Sequence, residues 1–262
     1  MLLAIDIGNS HTVIGLFRDD QFIGQWRFKS DRERTVDELA IHCHGLFSMI
    51  GIAAGEIRGI IIASVVPSLE ASWSSYCRKY LSANLEYPPL LVSAENIKKS
   101  IQIKTDNPDE VGADRLVNAI AGWQKYRCNL LIIDFGTAIT FDCVSAECEY
   151  LGGAILPGVA IALDALSSRT AKLPRIDISV GPEKVIGTNT VQAMKSGILH
   201  GYGALVDGMT QKIRHEIGCA DGVLKVIATG GMAHLIAPYA QSIEEVEPML
   251  TLNGLHFLHS QQ

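Results

Sequence analysis

Two carboxylates stand in near-identical local sequence. Asp6 ends an apolar run that begins at Leu2 and is followed by Ile7-Gly8-Asn9-Ser10; Asp134 ends a run that begins at Leu130 and is followed by Phe135-Gly136-Thr137. An acid at the tip of an apolar strand is costly unless a cation or a partner meets it, and this chain accepts that cost twice. The glycine lets backbone N–H groups come close to a phosphate, and Ser10 or Thr137 adds a hydroxyl donor. Asp6 is placed to hold Mg2+, directly or through water, because that ion takes few protein carboxylates and fills its shell with phosphate oxygens. One such turn reads as an ordinary hairpin with a solvated aspartate. Two of them point to phosphate chemistry.

A third acid lies in Gly112-Ala113-Asp114-Arg115, at the start of a helical run behind the polar Asn107-Pro108 loop. A helix N-terminus favours anions nearby. Asp114 there reads either as a simple helix cap or, if its loop faces the two hairpins, as a catalytic base. Phosphoryl transfer needs the γ-phosphate held, its charge neutralised and one group to accept the hydroxyl proton. Asp114 is the candidate for that group, and Arg115 offers a guanidinium fork to an anionic substrate. The Asp-Phe-Gly triplet also occurs in protein kinases, but the HRD loop and the glycine-rich loop with its VAIK lysine are missing, as is the Walker A pattern. Gly230-Gly231 reads equally as backbone laid against adenine or ribose and as a strand-to-helix turn. His42 and His44 fall on different faces of a predicted helix, and Cys143 and Cys148 read as packing residues rather than a metal pair.

The elements that must position these residues follow from periodicity. Strands are predicted at 2–8, 11–18 and 21–29, joined by Gly8-Asn9-Ser10 and Asp19-Asp20 as turns. A helix follows over 36–50, then a strand at 57–66 stopped by Pro67, a helix over 69–81 and a strand at 90–93. The second half repeats the opening without a gap: Leu130 falls on Leu2, Ile133 on Ile5, Asp134 on Asp6 and Gly136 on Gly8. Strands at 138–144 and 149–156, helices at 159–172 and 189–217, a strand at 223–228 and a helix from 235 to 240 complete it, and a helix over 113–126 joins the halves. A strand-acid-glycine hairpin that recurs once marks a duplicated domain, which sets the expected domains at 1–118 and 119–262.

The 262 residues suffice for two modest cores, and 48% of them are hydrophobic against 19% charged. A net charge of −6 argues against a nucleic-acid binder, which needs a basic face. The apolar N-terminus lacks a basic leader, no stretch is long enough to span a bilayer, and six cysteines occur without a CxxC pair, so the expectation is a cytoplasmic protein with reduced thiols, away from membranes.

Taken jointly and in order, DIGNS from Asp6, NPDEVGADRLVNAIAG from Asn107, IDFGTAITFD from Ile133, GGAILPG from Gly152, GTNTVQAMKSGILHGYGALVDG from Gly187 and ATGGMA from Ala228 resemble the type III pantothenate kinases. That family belongs to the superfamily of actin, sugar kinases and heat-shock chaperones. The resemblance implies an α/β chain of two ribonuclease-H-like (actin-like ATPase) domains, each a mixed sheet flanked by helices, with a cleft between them. It implies ATP with Mg2+ and transfer of the γ-phosphoryl to pantothenate, the first step to coenzyme A. Carried over, Asp6, Ile7, Gly8, Asn9, Ser10, His11, Thr12 and Val13 form the first nucleotide loop, and Thr137 contacts nucleotide phosphate. Gly112, Ala113, Asp114 and Arg115 line the substrate site with Asp114 as base, and Asp134 holds a monovalent cation, K+ or NH4+. Thr190 reaches the substrate from the neighbouring subunit of a homodimer. Two positions depart from the family's pattern: Thr105 stands where tyrosine is common, and Ser10 where threonine is. Thr105 keeps open a kinase for another small hydroxylated metabolite. A nucleotide-binding regulatory relative that assists transcription is the alternative outside enzymes; it predicts decay of the catalytic acids, and all of them are present.

Overall fold

β1 (Leu2–Ile7), β2 (His11–Arg18) and β3 (Gln21–Lys29) form an antiparallel meander, and β4 (Gly59–Ser64) then joins β1 in parallel on its other side. This is a computed structural model; it describes residues 1–218 and 223–262, so Cys219 lies outside the described residues. The two-residue strand β5 (Leu90–Leu91) pairs in parallel with β4, which gives the order β3-β2-β1-β4-β5. Parallel neighbours need a crossover, and two helices supply them: α1 (Val36–Met49) between β3 and β4, and α2 (Pro67–Tyr76) between β4 and β5. Thr35 and Glu38 start α1 with a capping box, and Pro67 starts α2 at a position where its missing N–H costs nothing. The 69–81 helix expected from the sequence is observed as α2 followed by a π turn over Cys77–Leu81.

After the short β6 (Gln102–Ile103), α3 (Ala113–Tyr126) leads into a second set with the same plan. β7 (Asn129–Phe135), β8 (Ala138–Val144) and β9 (Glu149–Pro157) repeat the meander, β10 (Leu224–Thr229) pairs in parallel with β7, and β11 (Glu245–Val246) with β10. α4 (Val159–Arg169) and the long α5 (Thr190–Glu216) lie between β9 and β10, the short α6 (Ala233–Ile236) between β10 and β11, and α7 (Leu250–Ser260) closes the chain.

Each sheet buries one face under its own helices. In the first, Leu3, Ile5, Ile7, Ile14 and Leu16 pack with Leu39, Phe47, Leu69 and Trp73; in the second, Leu131, Ile133, Phe135 and Phe141 pack with Ile198, Leu199 and Val206. Burial pushes the Cys43 and Cys77 thiols in the first core up to about 12, so they behave as small hydrophobes.

The two compact units comprise Met1–Ala121 with Leu250–Gln262, and Gly122–Met249. The sequence reading takes 1–118 and 119–262; the difference is α7, which packs on the first sheet although it ends the chain. Its leucines at 250, 252, 255 and 258 are all buried.

Candidate active site

The first hairpin is built to present its turn. Gly8 donates its N–H to His11 O at 3.0 Å, and a Cβ at Gly8 would stand 2.9 Å from that same oxygen. Ser30, just past β3, donates its N–H to Ser10 O at 3.0 Å and its Oγ to Gly8 O at 2.6 Å. That Oγ also shares a hydrogen bond with Thr12 Oγ1 at 3.1 Å. Thr12 is buried, while Asn9, Ser10 and His11 face outward. The turn is therefore clamped from beneath with its tip exposed, as a phosphate loop requires. Ser30 went unnoticed in the sequence because its partners are some twenty residues away and no local pattern marks it.

Asp6 is half-buried, opposite Val13 of β2 and Ala63 of β4. Strand alternation puts Leu2, Ala4 and Asp6 on one face of the sheet. On that face the partner of Leu2 is Gly59 and the partner of Ala4 is Gly15. A Cβ on Gly59 would lie 2.5 Å from His259 Nε2, and one on Gly15 would lie 2.9 Å from Leu252 Cδ1. So α7 covers this face with its C-terminal end over Leu2 and its N-terminal end over Ala4, the N-terminal end being the one nearer Asp6.

Asp114 lies in the first turn of α3, half-buried, and its Oδ1 accepts the Arg115 N–H at 2.8 Å. A Cβ on Gly112 would fall 2.6 Å from Asp114 Oδ1 and 3.3 Å from Val65 Cγ1. Val65 in turn donates its N–H to Ile7 O at 3.0 Å. One residue past β4 thus touches both the Asp6 strand end and the Gly112–Arg115 loop, and the structure brings these two groups of predicted residues together.

In the second unit Asp134 sits half-buried opposite Thr140 and Thr229. Gly136 donates its N–H to Ala138 O at 3.1 Å, and Gly158 donates to Thr137 O at 3.1 Å, leaving the Thr137 residue exposed. Gly230 has φ +90°, and any Cβ there would overlap Asp134 Oδ1 and stand 2.7 Å from Phe135 N. This glycine therefore makes room for the acid, a role the sequence reading did not consider for it. Thr190 is the exposed first residue of α5, and its neighbour Asn189 caps that helix by accepting the Gln192 N–H at 3.0 Å. Thr105, the departure from the family's tyrosine, has a buried Oγ1 with no hydrogen-bond partner among the described residues.

Hollows of about 520 and 570 Å3 open beside Tyr87, Pro88 and Leu91 and are lined by none of the predicted residues. Among the described residues no three His, Cys, Asp or Glu side chains gather as a metal site. An ion completed by phosphate and water needs only one or two protein carboxylates, and Asp6 and Asp134 each stand half-buried at a strand end.

Comparison with known proteins identifies the family. A family model described as type III pantothenate kinase matches residues 2–212. A type III pantothenate kinase of Desulfotalea psychrophila is 51% identical over 258 residues, 98% of this chain and 97% of that protein. Among solved structures, a conserved Baf family protein of Campylobacter jejuni superposes with a TM-score of 0.59 at 18% identity, covering 99% of this chain and 98% of the other. Component A of (R)-2-hydroxyglutaryl-CoA dehydratase from Acidaminococcus fermentans gives 0.54 at 11% identity, over 98% and 95%. At such identities these two speak for the actin-like ATPase fold alone. The family match spans most of the sequence and the relative nearly all of it, and on that ground the chain belongs to the type III pantothenate kinase family.

Proposed function

We propose that this protein transfers the γ-phosphoryl group of ATP to the terminal hydroxyl of pantothenate, giving 4'-phosphopantothenate and ADP, the first step of coenzyme A biosynthesis. The near full-length likeness to a type III pantothenate kinase carries the reading, and the clamped Asp6 hairpin with Asp114 close by in the same unit supports it.

The residues divide the work as follows. Backbone groups of Gly8 to Val13, with the Ser10 hydroxyl, hold the nucleotide phosphates, and Thr137 contacts them from the second loop. Asp114 accepts the proton of the pantothenate hydroxyl as its oxygen attacks the γ-phosphorus. The bond from that phosphorus to the bridging oxygen breaks, and ADP leaves with the electron pair. Arg115 holds the pantothenate carboxylate, and Thr190 reaches the substrate from the second subunit of a homodimer. Asp6 holds Mg2+ and Asp134 holds K+ or NH4+; when bound, these ions neutralise charge on the phosphates. We place the enzyme in the cytoplasm, without nucleic-acid or membrane partners. The net charge of −6 argues against a nucleic-acid partner, and no helix among the described residues is long and apolar enough to cross a membrane.

The deciding experiment is an ADP-release assay with ATP, Mg2+ and K+ against pantothenate and a panel of small hydroxylated metabolites. Pantothenate-dependent turnover is the expected result, absent in sodium-only buffer. Preference for another alcohol would overturn the substrate. Sedimentation checks the dimer.

A further inference from the structure

The C-terminal helix α7 meets α3 as well as the first sheet. Thr251, in its first turn, donates its Oγ1 hydrogen to Asn118 Oδ1 at 2.8 Å. Asn118 is fully buried and stands four residues after Asp114, directly below it on the same face of α3. One turn further along α7, a Cβ on Gly254 would fall 2.7 Å from both Val117 Cγ1 and Val117 O, and 3.0 Å from Ala121 Cβ. The two helices therefore touch at near-backbone distance, and a hydrogen bond from half-buried Thr251 to buried Asn118 ties them. The same α7 lies over Ala4 and Gly15 through Leu252, one strand repeat, about 7 Å, short of Asp6.

From this we infer that Thr251 is a positioning residue for the phosphoryl transfer: by fixing Asn118 it sets the height and rotation of the first turn of α3, and with it the Asp114 carboxylate, relative to the Asp6 strand. The inference rests on the proposed role of Asp114. α7 packs both on the sheet face carrying Asp6 and on the helix carrying Asp114, so an error in its seating becomes an error in the spacing of the two acids. Apolar packing alone resists separation of the helices but permits sliding along them. A directional hydrogen bond to a buried amide removes that freedom.

Thr251→Val keeps the shape of the side chain and deletes the donor. Steady-state kinetics should show kcat down by about tenfold, as small misplacements of a reacting group cost, with KM for ATP and pantothenate within about twofold of the parent. Thr251→Ser, which restores the hydroxyl, should recover kcat. Melting curves taken alongside confirm that the variants are folded at the assay temperature; should Thr251→Val melt too early, Thr251→Ala assayed in the cold answers the same question. A lower melting temperature with unchanged kcat would make the pair merely structural and overturn the inference, as would a kcat loss that Thr251→Ser does not restore. Wild-type protein that turns over no pantothenate would instead sink the proposed function, so the two failures are separable.

Discussion

Asp134 and Gly230 show how one residue's chemistry is secured by another's absence of a side chain. Gly230 holds φ +90° against the Asp134 carboxylate and the Phe135 backbone. Alanine there meets two penalties, about 1–2 kcal/mol for the left-handed backbone and roughly 1–3 kcal/mol for overlap in a packed site. Gly230→Ala should lower stability by about 2–5 kcal/mol in urea unfolding and displace Asp134. Asp114, the proposed base, sits at the other extreme: half-buried in the first turn of α3, its replacement should disturb little packing. A general base contributes about 10²–10⁴ in rate. Asp114→Asn should therefore cut kcat by that order in the pantothenate assay with a melting temperature within a few degrees of the parent, and retained turnover would reject it as the base. The acids themselves were legible in the sequence, because a carboxylate after an apolar run stands out and here recurs. Their supports Ser30, Val65 and Gly230 were not, since each acts on a residue far away in sequence.

At the level of elements, α7 is the piece that sequence periodicity did not reveal. Asn253 and Gly254 are poor helix formers in its middle, and its buried leucines at 250, 252, 255 and 258 do not fall into a clean helical stripe. What makes it a helix is the tertiary surface it covers, with Gly15, Gly59 and α3 beneath it. The longer strands and the helices α1 and α3 were legible to within a residue or two, because each carries its own alternation or stripe. Burying four leucines stabilises by about 6–12 kcal/mol, comparable to the roughly 5–15 kcal/mol of a whole domain. A chain ending at Met249 should give no cooperative melt for the first unit. Burial also holds the His259 imidazole below its ordinary 6.5, with the nearby His256 adding to the effect, and burial lowers His44 as well. The fold disfavours protonation of both rings relative to the unfolded chain, which protonates them below about pH 6.5, so unfolding takes up protons there and stability falls as pH drops. Melting temperature should thus decline between about pH 6.5 and 5, before the carboxylates titrate, and more shallowly in His259→Gln.

The duplication visible in seven residues of sequence extends to five strands of structure. The order β3-β2-β1-β4-β5 has its counterpart in β9-β8-β7-β10-β11, with the same antiparallel meander and the same parallel partners for the acid-bearing strand. Each acid therefore sits at the end of the strand at the centre of its sheet, held from both sides. The paired short strands β5 and β11 escaped the repeat search or were overestimated because two residues carry no periodicity. The proposed function gives both loops one ligand, and this makes binding separable from chemistry. A ligand that binds only the folded chain stabilises it by about 2.7 kcal/mol at a hundredfold excess over Kd. ATP with Mg2+ should raise the melting temperature of the parent protein, and Asp114→Asn should keep that shift while losing turnover, because its carboxylate is assigned to the acceptor alcohol. Asp6→Asn and Thr137→Val should each lose most of the shift, because both are assigned to the nucleotide. A nucleotide shift that survives in Asp6→Asn but vanishes in Asp114→Asn would reverse those assignments and leave the first hairpin without its phosphate.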